Sequence, residues 1–286
     1  MENILELKGL RKSYDRFALQ DVSFALPEGC IAGLVGVNGA GKTTTLRTIL
    51  GLRNKDAGEI RIFGLDMADS PRQIKNRIGV ILEESCFYEN LTLDEMKSVI
   101  APAYENWCEE DYRKYISRFN LNSKQKISAL SKGMKMKYAL ALALAHKAEL
   151  LIMDEPTGGL DPLVRSELLE ILQEYMAADG KGVLLSTHIT SDLDKIADIL
   201  IIIDDGKILL QESKDTLLDT YRIVKGDKTT LTEASRRLLL NIRESAFGFE
   251  ALTSAEGELR RLIPDAIFER PAIEDIMLGL VKGAER

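Results

Sequence analysis

Nine consecutive residues, Gly36-Val37-Asn38-Gly39-Ala40-Gly41-Lys42-Thr43-Thr44, constrain this chain more than any other stretch. They satisfy the spacing G-x-x-x-x-G-K-[ST], in which a glycine-rich turn curls until several backbone N–H groups face one phosphate. The flanks supply the context that the turn needs. Cys30 to Val35 is apolar enough for a buried strand, and Thr45 to Leu50 opens a helix. The helix N-terminus contributes a partial positive charge. Lys42 is then placed to reach the β- and γ-phosphates, and the Thr43 hydroxyl to ligate Mg²⁺. The stretch implies that a nucleoside triphosphate binds here. It does not say what the nucleotide is used for.

The rest of the composition narrows the class. A chain of 286 residues has room for one large or two modest domains. A formal net charge of -7 argues against generic affinity for nucleic acid. Cys30, Cys86 and Cys108 are far apart and odd in number, which suits reduced thiols better than a metal or disulfide framework. Met1-Glu2-Asn3 shows neither the basic nor the apolar region of a secretory signal. The longest apolar runs, such as Tyr138 to Ala145 and Ile199 to Ile203, fall far short of the ~20 residues that span a bilayer. Any membrane role is therefore expected to use another subunit.

In chain order, Ile4 to Leu7 and Ala18 to Phe24 are strand-like, with Tyr14 between them. An aromatic upstream of the phosphate loop suits stacking on an adenine ring, although a half-buried strand tyrosine has the same pattern. Gly58 to Gly64 and Ile78 to Leu82 are expected strands, the second a buried run ending at Glu83-Glu84, and Pro71 to Lys75 a short helix. The period then becomes helical. Thr92 and Glu95 form a capping box, Tyr112, Tyr115, Ile116 and Phe119 recur at helical spacing, and Met134 to Ala145 is apolar on most faces. This is expected to be a helical insertion at about 85–148. Leu150 to Asp154, Val183 to His188 and Ile199 to Ile203 are strands alternating with helices, and Asp205-Gly206 is a hairpin turn. Beyond 213 a strand at Tyr221 to Val224, a helix over Thr232 to Arg243 and a last helix over Ile273 to Val281 suggest a small α+β appendage.

Hydrolysis needs more than a phosphate cradle. Asp154 suits a role in the metal shell, and Glu155 suits the general base or water positioner. His188, at the end of a neighbouring strand, is placed to contact the γ-phosphate. Each is unremarkable alone; behind a phosphate loop they form a set.

At this point a family resemblance becomes close. Leu130-Ser131-Lys132-Gly133-Met134, just before a helix, resembles the LSGGQ signature of ATP-binding cassette (ABC) proteins. Tyr14 resembles the adenine-stacking aromatic, residues 36–44 the Walker A motif, and Glu83 occupies the Q-loop position. Asp154 and Glu155 resemble the Walker B aspartate and catalytic glutamate, Gly158 to Asp161 the D-loop, and His188 the switch histidine. The resemblance covers residues 4 to about 212. It implies an α/β P-loop (RecA-like) nucleotide-binding domain over 1–212, with an antiparallel β subdomain and a helical subdomain. Residues 213–286 would be an accessory or regulatory domain. It further implies ATP and Mg²⁺ as cofactors, with Thr43, Glu83 and Asp154 around the metal. Two copies would bind ATP head to tail, with Ser131, Lys132, Gly133 and Met134 of one closing on the loop of the other. An integral membrane permease would dock near Glu83 to Asp94, placing the protein on the cytoplasmic face of the membrane.

Three departures stand out. Lys132 and Met134 replace Gly and Gln of the signature, Glu83 replaces the usual Gln, and Gly158 replaces a common Ser. The Ser131-Lys132-Gly133-Met134 signature, Glu83 and a tail reading Arg270-Pro271-Ala272-Ile273-Glu274-Asp275-Ile276-Met277 resemble the bacterial exporter ATPases encoded apart from their permeases. Those proteins export drugs, antimicrobial peptides or peptide toxins. An ABC ATPase working without a permease, and a P-loop kinase, are the competing readings.

Overall fold

The computed structural model describes residues 2–83 and 86–283. Its spine is a six-stranded sheet in the order Lys207–Ser213, Ile199–Asp204, Ile31–Val35, Gly182–Thr187, Leu150–Asp154, Ile78–Ile81. Every neighbouring pair is parallel except the first, a hairpin whose turn residues Asp205 and Gly206 have φ of 41° and 72°. That left-handed pair matches the twist of the strands it joins.

Alternation sorts the sheet's side chains onto two cores. Leu150, Ile152, Leu184 and Ile201 pack with the phosphate-loop helix Lys42–Ile49 and an antiparallel sheet. That sheet runs Ala18–Pro27, Asn3–Ser13, Ala57–Ile62, Leu65–Asp66. Leu151, Met153, Val183 and Leu185 face the helices Lys132–Ala145, Pro162–Met176 and Thr190–Ile196. Ile31–Val35, Leu150–Asp154 and Gly182–Thr187 are consequently buried at every residue, as befits parallel strands covered on both faces. Ile78–Ile81 departs from the buried run expected of it. Among the described residues it pairs only with Leu150–Asp154, and Val80 on this edge strand is 37% exposed.

The helical insertion holds Leu93–Ile100, Glu109–Arg118 and Lys132–Ala145. Thr92 and Glu95 make the reciprocal capping bonds that their spacing implies. Tyr112, Ile116 and Phe119 are buried, and the Tyr138 hydroxyl donates to the Leu93 carbonyl at 2.8 Å. Glu84, at the end of the expected strand run, and residue 85, at the insertion's start, lie outside the described residues.

The C-terminal region corrects one expectation. The helix anticipated over Thr232 to Arg243 is a single turn, Glu233–Arg236. Thr232 does cap it, but Leu240–Ser245 then forms a strand that pairs antiparallel with Gly248–Thr253. Tertiary pairing overrides the local helical preference here. The resulting sheet has the order Leu240–Ser245, Gly248–Thr253, Arg222–Gly226, Ile267–Glu269. It carries its own small core around Val224, Phe249 and Leu259. The last helix, Ile273–Gly283, turns back, and its Ile273, Ile276, Met277 and Val281 join the main core instead.

One buried group makes the insertion sensitive to pH. His146 ends the Lys132–Ala145 helix, and the Tyr104 ring stacks on it with centroids 3.8 Å apart. Burial pushes its pKa down to about 4. In the unfolded chain the group titrates near ~6.5. Between those values the unfolded chain holds the proton and the folded chain does not. Stability therefore falls as pH drops through that window and is unaffected above it. His146→Phe keeps a ring for the stack but cannot titrate. Urea unfolding at pH 7 and pH 5 should show the wild type losing about 2 kcal/mol more than this variant between the two conditions. Equal losses would mean that His146 is not the responsible group.

Candidate functional site

The Ile31–Val35 strand ends directly under the glycine turn. Gly36 lies so close to the neighbouring strand that a Cβ would stand 2.2 Å from the Ile203 carbonyl oxygen. Gly41, with φ of 112°, caps the helix Lys42–Ile49 in a left-handed conformation. Lys42 folds back over its own loop. Its Nζ donates to the carbonyls of Gly36 at 2.9 Å and Val37 at 3.3 Å, and lies 3.4 Å from Glu155 Oε1. Both charged side chains are less than a tenth exposed, so each requires the other, since an unpaired buried charge is costly.

Both acids arrive from one parallel strand, Leu150–Asp154, separated from Ile31–Val35 by the Gly182–Thr187 strand. Asp154 closes Leu150–Asp154, and its Oδ1 accepts from Thr43 Oγ1 at 3.1 Å and from Ser186 Oγ at 2.6 Å. The Ser186 hydroxyl also accepts from the Glu155 amide at 3.2 Å. One fully buried hydroxyl thus fixes both acids. Glu155 has φ of 48°, a left-handed conformation rare outside glycine and concentrated at functional sites. Its Oε2 lies 2.8 Å from His188 Nδ1 and accepts from the His188 amide at 3.3 Å. Lys42, Glu155 and His188 therefore form a continuous polar chain.

Thr43 and Asp154 offer hard oxygen donors side by side. Among the described residues no cluster of three or more acidic, histidine or cysteine side chains could cage a cation. That donor set suits Mg²⁺, which binds through one or two protein oxygens and takes the remainder from phosphates and water. Glu83 sits at the rim, about half exposed, with Oε1 3.7 Å from Lys132 Nζ.

Asn38, Gly39, Gly41, Thr44, Glu83 and His188 are among the residues lining a single cleft with Lys42, Thr43 and Glu155. Gly36 and Ala40 shape the turn beneath it, where Ala40 is buried. Tyr14 does not line this cleft. It is 45% exposed on the turn between the first two strands, and its amide donates to the Phe17 carbonyl. Phe17 does line the cleft, and its Cζ would lie 2.8 Å from a Cβ on Gly41. Sequence reasoning passed over Phe17 and Ser186. For Ser186 a signal existed, because polar residues at the C-terminal end of a buried parallel strand mark the ligand edge. For Phe17 there was none beyond its being a second aromatic in the same short turn.

The signature residues lie elsewhere. Ser131 caps the Lys132–Ala145 helix by accepting from the Met134 amide at 3.3 Å. Gly133 packs toward the Pro162–Met176 helix, where a Cβ would stand 3.3 Å from Val164. Ser131, Gly133 and Met134 do not line the cleft; Lys132 reaches toward Glu83 and Gly159. In the D-loop segment, the Gly158 amide donates to the Glu155 carbonyl, and Asp161 caps the following helix through two 3.1 Å bonds.

A family model described as "ABC transporter" matches residues 19–158. The chain is 29% identical over 263 residues to the bacitracin transport ATP-binding protein BcrA of Enterococcus faecalis, spanning 91% of this chain and 84% of that one. It is 34% identical over 216 residues to the lantibiotic transport ATP-binding protein SrtF of Streptococcus pyogenes, spanning 74% and 92%. Among solved structures it resembles the ATP-binding subunit of an ABC transporter, with a TM-score of 0.69 and 34% identity over 76% of this chain and 92% of that one. A nucleotide-free ATP-binding cassette at 21% identity shares the fold, with a TM-score of 0.66 over 76% of this chain and 94% of that one.

The Ser186 hydroxyl gives the site a direct check. Ser186→Ala leaves the Asp154 carboxylate and the Glu155 amide each short of one bond. It should lower stability by about 1–3 kcal/mol in urea unfolding. A change within about 0.5 kcal/mol, as at ordinary surface positions, would show that the bond is not needed.

Proposed function

The chain belongs to the ABC transporter family as an ATPase subunit that hydrolyses ATP to drive transport, and from that premise we propose that it powers an exporter by closing two copies head to tail over ATP. The reading rests on the cleft being half a site. Loop, base and histidine share one wall, whereas Ser131, Gly133 and Met134 are turned to other surroundings. A second copy supplies what is missing. Its Ser131 hydroxyl, its Lys132 and the backbone from Gly133 to Met134 at a helix N-terminus approach the γ-phosphate from the far side.

Within one copy, the base of ATP lies against the Tyr14–Phe17 turn and the phosphates replace the carbonyls around Lys42. Glu155 takes the proton of the attacking water. His188, held to the same carboxylate, orients the base and contacts the γ-phosphate. Mg²⁺ would be held by Thr43 and Asp154, with Glu83 near, and would supply neutralisation of phosphate charge.

The permease is the membrane part, since no helix among the described residues is long and apolar enough to cross a bilayer. It docks on the groove between the Ile78–Ile81 strand and the Lys132–Ala145 helix, lined by Val80, Phe87, Met136 and Ala139. Tyr88, 65% exposed, belongs to the same Glu83–Asp94 stretch. The chain then sits on the cytoplasmic face of the membrane. A drug, an antimicrobial peptide or a peptide toxin is the cargo class. The transport roles in the names of both relatives support it, and so does the length of the similarity to the Enterococcus protein, which runs beyond the cassette of residues 1–212.

Glu155→Gln removes the base but keeps the shape of the side chain. ATP turnover should fall roughly 10²–10⁴-fold, while size-exclusion chromatography with ATP should show a dimer that disperses when ATP is withdrawn. Near-normal turnover would reject the base. A monomer at every ATP concentration would reject the closed pair.

A further inference from the structure

The helix Thr190–Ile196 begins two residues after His188. That is too short a connection for the helix to shift without taking the imidazole with it. Three elements hold this helix. Arg165, from Pro162–Met176, pairs with the buried Asp192 and donates to Ser191 Oγ at 2.8 Å. The Lys214 ammonium donates to the Asp194 carbonyl at 3.0 Å. The third is the C-terminal helix Ile273–Gly283. Its Ile273 and Ile276, both fully buried, share a core with Leu193 and Ile196. The Ile273 amide, at its start, faces the Asp194 carboxylate and favours its charged form. The contact is thus apolar along the face and polar at the end.

The C-terminal helix is equally fixed on its other connections. At Gly279 a Cβ would stand 2.4 Å from Leu252 Cδ2, and at Gly283 one would stand 3.1 Å from Leu240 Cδ2. Both leucines belong to the C-terminal sheet. Close packing of this kind transmits displacement rather than absorbing it.

We infer that the C-terminal helix sets the position of His188 against Glu155, with Ile276 and Asp194 as positioning residues that act through the Thr190–Ile196 helix. The inference rests on the reading of Glu155 and His188 given above, and it assigns the C-terminal region a part in hydrolysis although none of its described residues lines the cleft.

The test uses the full chain. Ile276→Ala should lower kcat for ATP roughly 10-fold, within the ~10²-fold that a misplacement of ~1 Å can cost, and leave the Kd for ATP unchanged. Ile276→Leu should restore most of the rate. In a His188→Ala background, Ile276→Ala should change kcat by less than about twofold, because no imidazole is left to misplace. If Ile276→Ala fails to fold, Asp194→Ala is read in the same two backgrounds. An equal fall with and without His188, or no fall in either, overturns the inference. Full turnover by His188→Ala alone overturns the underlying reading of the site, and with it the inference; that outcome is visible before any second substitution is made.

Discussion

Two adjacent carboxylates, Asp154 and Glu155, leave the end of a fully buried strand, and much of the molecule serves to keep neither of them unpaired. Carboxylates at such a place need compensating charge and hydrogen bonds. Asp154 is compensated by two hydroxyls, one from the phosphate loop and one from the next strand. Glu155 is compensated by an ammonium from the loop and an imidazole from beyond that strand. The four partners come from two segments, the phosphate loop and the end of the Gly182–Thr187 strand, so the parallel order of the sheet is what brings them to one edge. A register slip of one residue in Leu150–Asp154 or in Gly182–Thr187 would turn Asp154 or Ser186 to the other face. The site therefore also specifies the sheet.

That compensation is provisional by its nature. Lys42 is satisfied by carbonyls of its own loop and by Glu155, all of which a phosphate group can replace. The loop is preorganised by geometry, through Gly36 and Gly41, where a Cβ would clash, and not by a rigid side chain. Lys132 and Glu83 show the same economy at the rim. Each departs from the family pattern, and the departures meet as an ion pair about half exposed. Such a pair is weak enough to be exchanged for other partners.

Much of this was legible in the sequence because it is local. The phosphate loop, the capping box at Thr92, the Asp205-Gly206 hairpin and the buried strand before Asp154 are each written in consecutive residues. What was not legible depends on partners far along the chain. Val80 is exposed because no described strand pairs beyond its own, which no window of sequence states. Leu240–Ser245 is a strand because Gly248–Thr253 offers it a ladder, although Thr232 signals a helix just before. Ser186 is an ordinary strand serine until Asp154 and Glu155 arrive beside it.

The C-terminal region shows why a boundary drawn from composition near 213 is only partly physical. Its sheet has a core of its own, so it is more than an extension of the cassette. Its final helix belongs to the other core, where Ile273 and Ile276 cover Leu193 and Ile196. A cut at 213 would uncover that apolar face on the helix next to His188, and would also remove the Lys214 bond to Asp194. The nucleotide loop, on the opposite core, would lose no contact of this kind. Nucleotide binding and hydrolysis thus depend on different parts of the chain: the first on the glycine turn and its strand, the second also on a helix that ends near residue 283.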